Sequence, residues 1–283
     1  MTCGDRHNRI EHEGRLMEGL RVTRPDRMHS SGMRTVLMMV VLAFASPGYC
    51  QRVAHVLVAL CDNEHQGIVK VPPGIGNGQN ARTNLYWGAG YGVKTHFDRA
   101  EEWKRVPCSP PTEPHILDRA VWQHRDSAVY IVAEAYDGRN IREATVDLLR
   151  YASGNAPKAV AAGGTALRAG GAAQLLAYVG HDGLMDFSIE ERFPGPAGNR
   201  REAIILACIS KRFFAEHLRA TGAAPLVWTT GLMAPEAYTL KAALAGWVLR
   251  EEPASISERA AQAYHKYQKC GINGARRLLV SGW

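Results

Sequence analysis

The sequence is short of the signatures by which most enzymes and binding modules are recognised. It holds six cysteines (Cys3, Cys50, Cys61, Cys108, Cys208 and Cys270) but no C-x-x-C pair, which leaves zinc-ribbon and thioredoxin readings without support. Their wide spacing in a chain of 283 residues also speaks against a disulfide framework, although one bridge, for instance through Cys108 in its proline-rich loop, stays open. The glycine-rich stretch "GIGNGQN" (74–80) lacks the Gly-Lys-Ser/Thr ending of a phosphate loop, so a flexible loop is its natural reading. No H-E-x-x-H or H-x-H spacing occurs, and nothing in the sequence implies a cofactor. Lys and Arg exceed Asp and Glu by a net charge of +7 but form no block or stripe, which argues against nucleic acid held by charge. No apolar run is long enough for a permanent membrane anchor.

What is present describes an ordinary globular protein: 46% apolar and 22% charged residues, with ample material for a core. The first fifty residues differ from the rest. Residues 1–32 are polar and without periodicity. From Met33 follows "MRTVLMMVVLAFASPGYCQ", in which Arg34 is a short positive region, Val36 to Ala45 an apolar run, and Ser46-Pro47-Gly48 a break. This is the layout of a secretory signal peptide, cleaved after Cys50 or after Ala45. The expectation is a true start at Met33, an erroneous extension over 1–32, a signal peptide over 33–50, and a periplasmic or secreted mature chain. In the alternative, Val36–Ala45 is a core strand or helix of a cytoplasmic protein.

From Arg52 the chain alternates strands and helices. Apolar, β-branched runs predict buried strands at 53–60, 128–136, 174–180, 202–209 and 225–230. Helices are predicted at 140–154, with Asn140 as its N-cap, and at 211–222, ending on Gly222. Two more are expected at 234–249, with Pro235 in its first turn, and at 256–271, entered through Ser257, with Cys270 in or near the core. A weaker helical period runs over 84–103, and a short helix is expected near Ile116–Trp122. Non-alternating apolar strands between helices predict one α/β domain over 52–283, a mostly parallel sheet with helices on both faces.

The strands end in chemically useful residues: Cys61-Asp62-Asn63, Asp137-Gly138-Arg139-Asn140, His181-Asp182-Gly183, Cys208-Ile209-Ser210 and Thr229-Thr230. In an open parallel sheet these ends line one edge, where such folds place ligands. Helix caps and turns account for Asn140, Ser210 and Thr230 without any site; they account poorly for His181 and Cys208. A thiol at a helix N-terminus gains thiolate character, and a cysteine nucleophile needs a neighbouring base. His181 and Cys208 on adjacent strands supply that pair. Cys61, with His65 nearby in sequence, is the rival nucleophile. Asp62, Asp137, His181 and Asp182 could instead hold a divalent metal in a hydrolase.

An apolar strand ending in "AYVGHDG", followed by another ending in "ILACIS", resembles the caspase–gingipain–legumain group of cysteine peptidases. In strand order the resemblance covers roughly 52–250. It implies a caspase-like fold with Cys208 as nucleophile, His181 as proton shuttle, and the backbone N–H groups of Gly183 and Cys208 as oxyanion donors. The substrate would be a peptide or protein. Asp62, Asp137 and Asp182 would make an acidic rim that favours Arg or Lys before the scissile bond. The competing class is a binding module on the same fold that forms no acyl-enzyme.

Overall fold

The computed structural model describes residues 51–283; the expected extension (1–32) and signal peptide (33–50) lie outside the described residues. The unit that contains them is α/β, with an eight-stranded, mostly parallel sheet. In chain order its elements are β1 (Arg52–Ala59), α1 (Val93–Asp98), β2 (Trp103–Val106), β3 (Ile116–His124), β4 (Val129–Tyr136), α2 (Ile141–Ala152), β5 (Pro157–Ala162), β6 (Thr165–Gly170) and β7 (Leu175–Val179). There follow β8 (Glu202–Leu206), α3 (Ser210–Thr221), β9 (Ala224–Thr229), α4 (Ala237–Val248), α5 (Pro253–Gln268), α6 (Ile272–Leu278) and β10 (Leu279–Val280). The sheet order is β10-β9-β8-β7-β1-β4-β3-β2. The five central strands, β9 to β4, run parallel; β10, β3 and β2 pair antiparallel at the two sides.

The apolar strands are buried because both sheet faces are covered. Successive residues of β1 point to opposite sides: Ala54, Val56 and Val58 pack with α1, α4 and α5, through Phe97, Leu244, Trp247 and Ala260. Val53, Leu57 and Ala59 pack with α2 and α3, through Leu148, Leu149, Phe214 and Leu218. The amphipathic period of α2 produces this contact, since Ile141, Ala144, Thr145, Leu148 and Leu149 are all buried. Pro253 opens α5, where its missing N–H costs nothing.

Several sequence expectations need correction. Residues Ile116–Trp122 are strand, not helix: β3 pairs antiparallel with β4, and its register shifts at the exposed Leu117 before the buried run resumes at Arg119. Helix over 84–103 shrinks to α1, because Gly88 and Gly92 sit where a Cβ would strike the backbone of Arg82 and Trp87. Helix α4 starts at Ala237, so Pro235 lies before it, and α5 starts at Pro253 rather than at Ser257. Asn140 makes no side-chain cap; the Asp137 carboxylate accepts the Arg139 N–H instead. Cys270 is exposed rather than near the core, and Cys61, Cys108, Cys208 and Cys270 are all free thiols. The β5–β6 hairpin has no counterpart among the sequence expectations. Its turn is Gly163-Gly164 at φ 56° and 79°, a left-handed pair that two glycines adopt without strain.

Candidate functional site

The five central strands end along one edge, yet their polar termini fall into two separate groups. In the first, Asp62 after β1 and Asp137 after β4 are bridged by one side chain. Gln79 donates from Nε2 to Asp62 Oδ2 at 2.7 Å and to Asp137 Oδ1 at 2.9 Å. His65 Nδ1 also lies 3.0 Å from Asp62 Oδ2, and Arg139 pairs with Asp137 at 2.8 Å. Burial alone would push both carboxyls up; these hydrogen bonds and charges outweigh it and hold both below the usual carboxylate range. "GIGNGQN" is thus a structural loop: Gly76 packs on Asn63, Gly78 on Asp62, and Gln79 is the bridge.

The second group lies after β7 and β8. Residues 180–201 join these parallel neighbours with only a 3₁₀ turn (Gly183–Met185), where a helix is the usual crossover. Long connections of that kind are usually functional. His181 and Cys208 line one cavity of about 260 Å³ in this region. His181 is 5% exposed, and its Nε2 lies 2.8 Å from Asp186 Oδ2. That oxygen also accepts the Gly67 N–H at 2.9 Å, and a Cβ at Gly67 would collide with the other carboxylate oxygen, Asp186 Oδ1. Asp186 therefore fixes the imidazole plane and assigns the Nε2 proton, leaving Nδ1 with the ring's free lone pair. Sequence reasoning missed Asp186, because no spacing rule marks a carboxylate five residues beyond a histidine.

The turn that presents Cys208 is strained and clamped. Ile209 is left-handed at φ 50°, a rare conformation for a β-branched residue. Its N–H donates to Gly231 O at 2.8 Å. Thr229 accepts the Ser210 N–H at 3.1 Å and donates to the Ala207 carbonyl. Thr229 thus ties the two sides of the turn together, a role beyond capping. Strain held in place this way clusters at functional turns.

The electrostatics correct another expectation. Helix α3 begins at Ser210, two residues beyond Cys208, and the thiol gains no net thiolate character. Burial pushes it up from the ordinary cysteine value, and Asp182 adds to this, against a Met233 N–H that donates to Sγ at 3.4 Å and lowers it. Asp182 is fully buried: Oδ1 accepts the Leu184 N–H at 3.0 Å while Oδ2 has no partner. Burial raises this carboxyl to about 7.

The other predicted site residues distribute as follows. The acidic rim does not form: Asp62 and Asp137 belong to the separate group, Asp182 is buried, and none of the three lines the cavity. Gly183 does not line it either; a Cβ there would meet Phe187 and Thr145. The backbone N–H groups of Gly183 and Cys208 have no acceptor among the described residues. Cys61 is fully buried, its thiol pushed up to about 11 by burial, and it faces Tyr86 rather than a histidine. Among the described residues no three His, Cys, Asp or Glu side chains gather as a metal cluster, and no helix is long and apolar enough to cross a membrane. Neither a protein-family model, nor a curated protein, nor a solved structure matches the chain.

Proposed function

We propose that the protein is a cysteine-dependent peptide hydrolase of the caspase-like type. The observation that carries this reading is the shared cavity: a thiol and a carboxylate-anchored imidazole, each at the carboxyl end of one of two adjacent parallel strands. The strand order supports the same resemblance, with the histidine after the third parallel strand in sequence and the cysteine after the fourth.

In this mechanism the Cys208 thiol gives its proton to Nδ1 of His181. The thiolate attacks the peptide carbonyl carbon, and the C–N bond breaks. The amine leaves with the proton from His181. Water, deprotonated by the same imidazole, then cleaves the thioester and restores the thiol. The raised thiol means that thiolate forms on demand, by proton transfer to His181, rather than standing ready at rest. The N–H of Cys208, a cavity-lining residue, has no backbone acceptor and is the first oxyanion donor; Gly183, outside the lining, is the weaker candidate.

One observation favours the binding-module reading instead: burial holds the Cys208 thiol in its neutral form. Alkylation kinetics separate the two. For a peptidase, His181→Ala slows iodoacetamide labelling of Cys208 and lowers peptide hydrolysis by about 10²–10⁴-fold, the usual size of a general acid–base contribution. Labelling that is slow in the parent and indifferent to His181→Ala would leave only a binding cleft.

A further inference from the structure

The cavity beside Cys208 has a composition that the acidic-rim expectation did not foresee. Its mouth is built by Val69, Met185 and Leu232, which are 92%, 41% and 71% exposed. They are three of the eight large hydrophobic residues that the described part of the molecule leaves exposed, and they come from three different segments. Val69 stands on the loop after β1, Met185 on the turn after His181, and Leu232 on the segment after β9. Ile68 and Met233 continue the apolar wall inward, and Tyr86 closes it. Scattered exposed hydrophobes need no explanation, but convergence of three around one cavity does.

The charge inventory is equally one-sided. No Asp, Glu, Lys or Arg lines the cavity. The Asp186 carboxylate is taken up by His181 and the Gly67 N–H, and Asp182 is fully buried. A lysine or arginine side chain entering here would give up water and find no counter-charge; an aspartate would find only the catalytic imidazole. An apolar side chain would bury itself against Val69, Leu232 and Met185 with no unpaired polar group. The volume of about 260 Å³ suits one side chain rather than an extended ligand.

From this we infer that the cavity is the primary specificity pocket, and that it selects an apolar residue such as leucine, methionine or phenylalanine before the scissile bond. The inference rests on the peptidase reading for the peptide it names, and it replaces the basic preference that the sequence suggested.

A panel of short peptidyl chloromethyl ketones ending in Leu, Phe, Lys or Asp tests it on the full chain, with modification of Cys208 followed by mass spectrometry. In each probe the sulfur displaces chloride to form a thioether, so the rate reports recognition beside the thiol without requiring turnover. The Leu and Phe probes should label at least about tenfold faster than the Lys and Asp probes. Equal rates, or a faster Lys or Asp probe, would overturn the pocket assignment. Leu232→Asp, at an exposed position that the fold does not depend on, should slow the Leu probe and speed the Lys probe; an unchanged ranking counts against the assignment. The two readings fail separately. Hydrolysis of Arg peptides with a flat probe ranking removes the pocket and keeps the peptidase. An apolar ranking with no hydrolysis of Leu peptides keeps the pocket and removes the peptidase.

Discussion

Glu134 and Asp182 are both fully buried carboxyl groups, and they have opposite fates. Glu134, in the middle of β4, is surrounded by donors. His55 Nε2 lies at 3.0 Å, Arg119 Nε at 2.8 Å and Lys158 Nζ at 3.2 Å. His55 Nδ1 accepts the Gly170 N–H at 3.0 Å, so its proton sits on Nε2 and points at the glutamate. Burial would push Glu134 up, but His55, Lys158 and Arg119 outweigh it and hold the group far below the ordinary carboxylate range. Asp182 has a single backbone donor, one bare oxygen and no cation, and it rises to about 7. Burial alone therefore predicts neither the charge state nor the role of an acid. One carboxylate fastens the sheet to the β5–β6 hairpin; the other is a partly solved problem left beside the thiol.

The sharpest way to break the contrast is to remove the well-served acid. Glu134→Ala takes away the acceptor of the buried His55 Nε2 and leaves Arg119 and Lys158 with Glu113 as their remaining carboxylate, and should cost about 3 kcal/mol in urea unfolding at pH 7, the lower end of the cost of breaking a buried ion pair. A loss under 1 kcal/mol would mean that solvent already shares those charges. In the parent chain this group's contribution is complete above the ordinary glutamate range and is lost only as pH falls well below it.

Asp182 should behave in the opposite sense. The folded chain keeps its proton up to about pH 7, whereas the unfolded chain releases it near the ordinary aspartate value of 3.8. Between those values the folded state binds more protons, so its stability falls as pH rises through the window and is level above it. Asp182→Asn removes that slope. It should gain roughly 1–3 kcal/mol above pH 8 and nothing near pH 3, part of the gain being offset by an amide that inherits the unpaired position. Unfolding curves at the two pH values that differ equally from the parent would refute the titration.

The smallest effect links the acid to the thiol. Ionised Asp182 raises the Cys208 thiol, so Asp182→Asn should speed iodoacetamide labelling at pH 8 by a factor of a few, about 0.5–1 kcal/mol of relieved repulsion across a partly screened site. Rates that stay equal at pH 8 would show that the two groups are electrically isolated.

The sequence made the frame legible where local and tertiary forces agree. Strands β1, β4, β7, β8 and β9 are continuous apolar runs, and their carboxyl ends carry His181 and Cys208 to one cavity, as the alternation implied. It misled at β3, where a register shift leaves Leu117 exposed and a charged residue, Arg119, is buried within the strand. It was silent where small residues build the element: the Gly163-Gly164 turn was the available signal for β5–β6, in a stretch too poor in large side chains to show a period. At the strand ends, residue type was readable and environment was not. Aspartates at strand ends look alike in sequence, yet one pair is tied by Gln79 and Asp182 is enclosed. The apolar mouth was invisible because Val69, Met185 and Leu232 come from segments far apart in the chain.

The two sides of the sheet carry a consequence for how chains meet. One side ends in β10, only two residues long. The other ends in β2, four residues with Lys104 and Arg105 facing solvent. Neither offers a long, flat, uncharged ladder onto which a neighbouring chain could zip, and such ladders are the usual seed of strand-to-strand aggregation. Among the described residues, a crowded solution therefore has more apolar surface on offer at the mouth beside Cys208 than at the sheet margins.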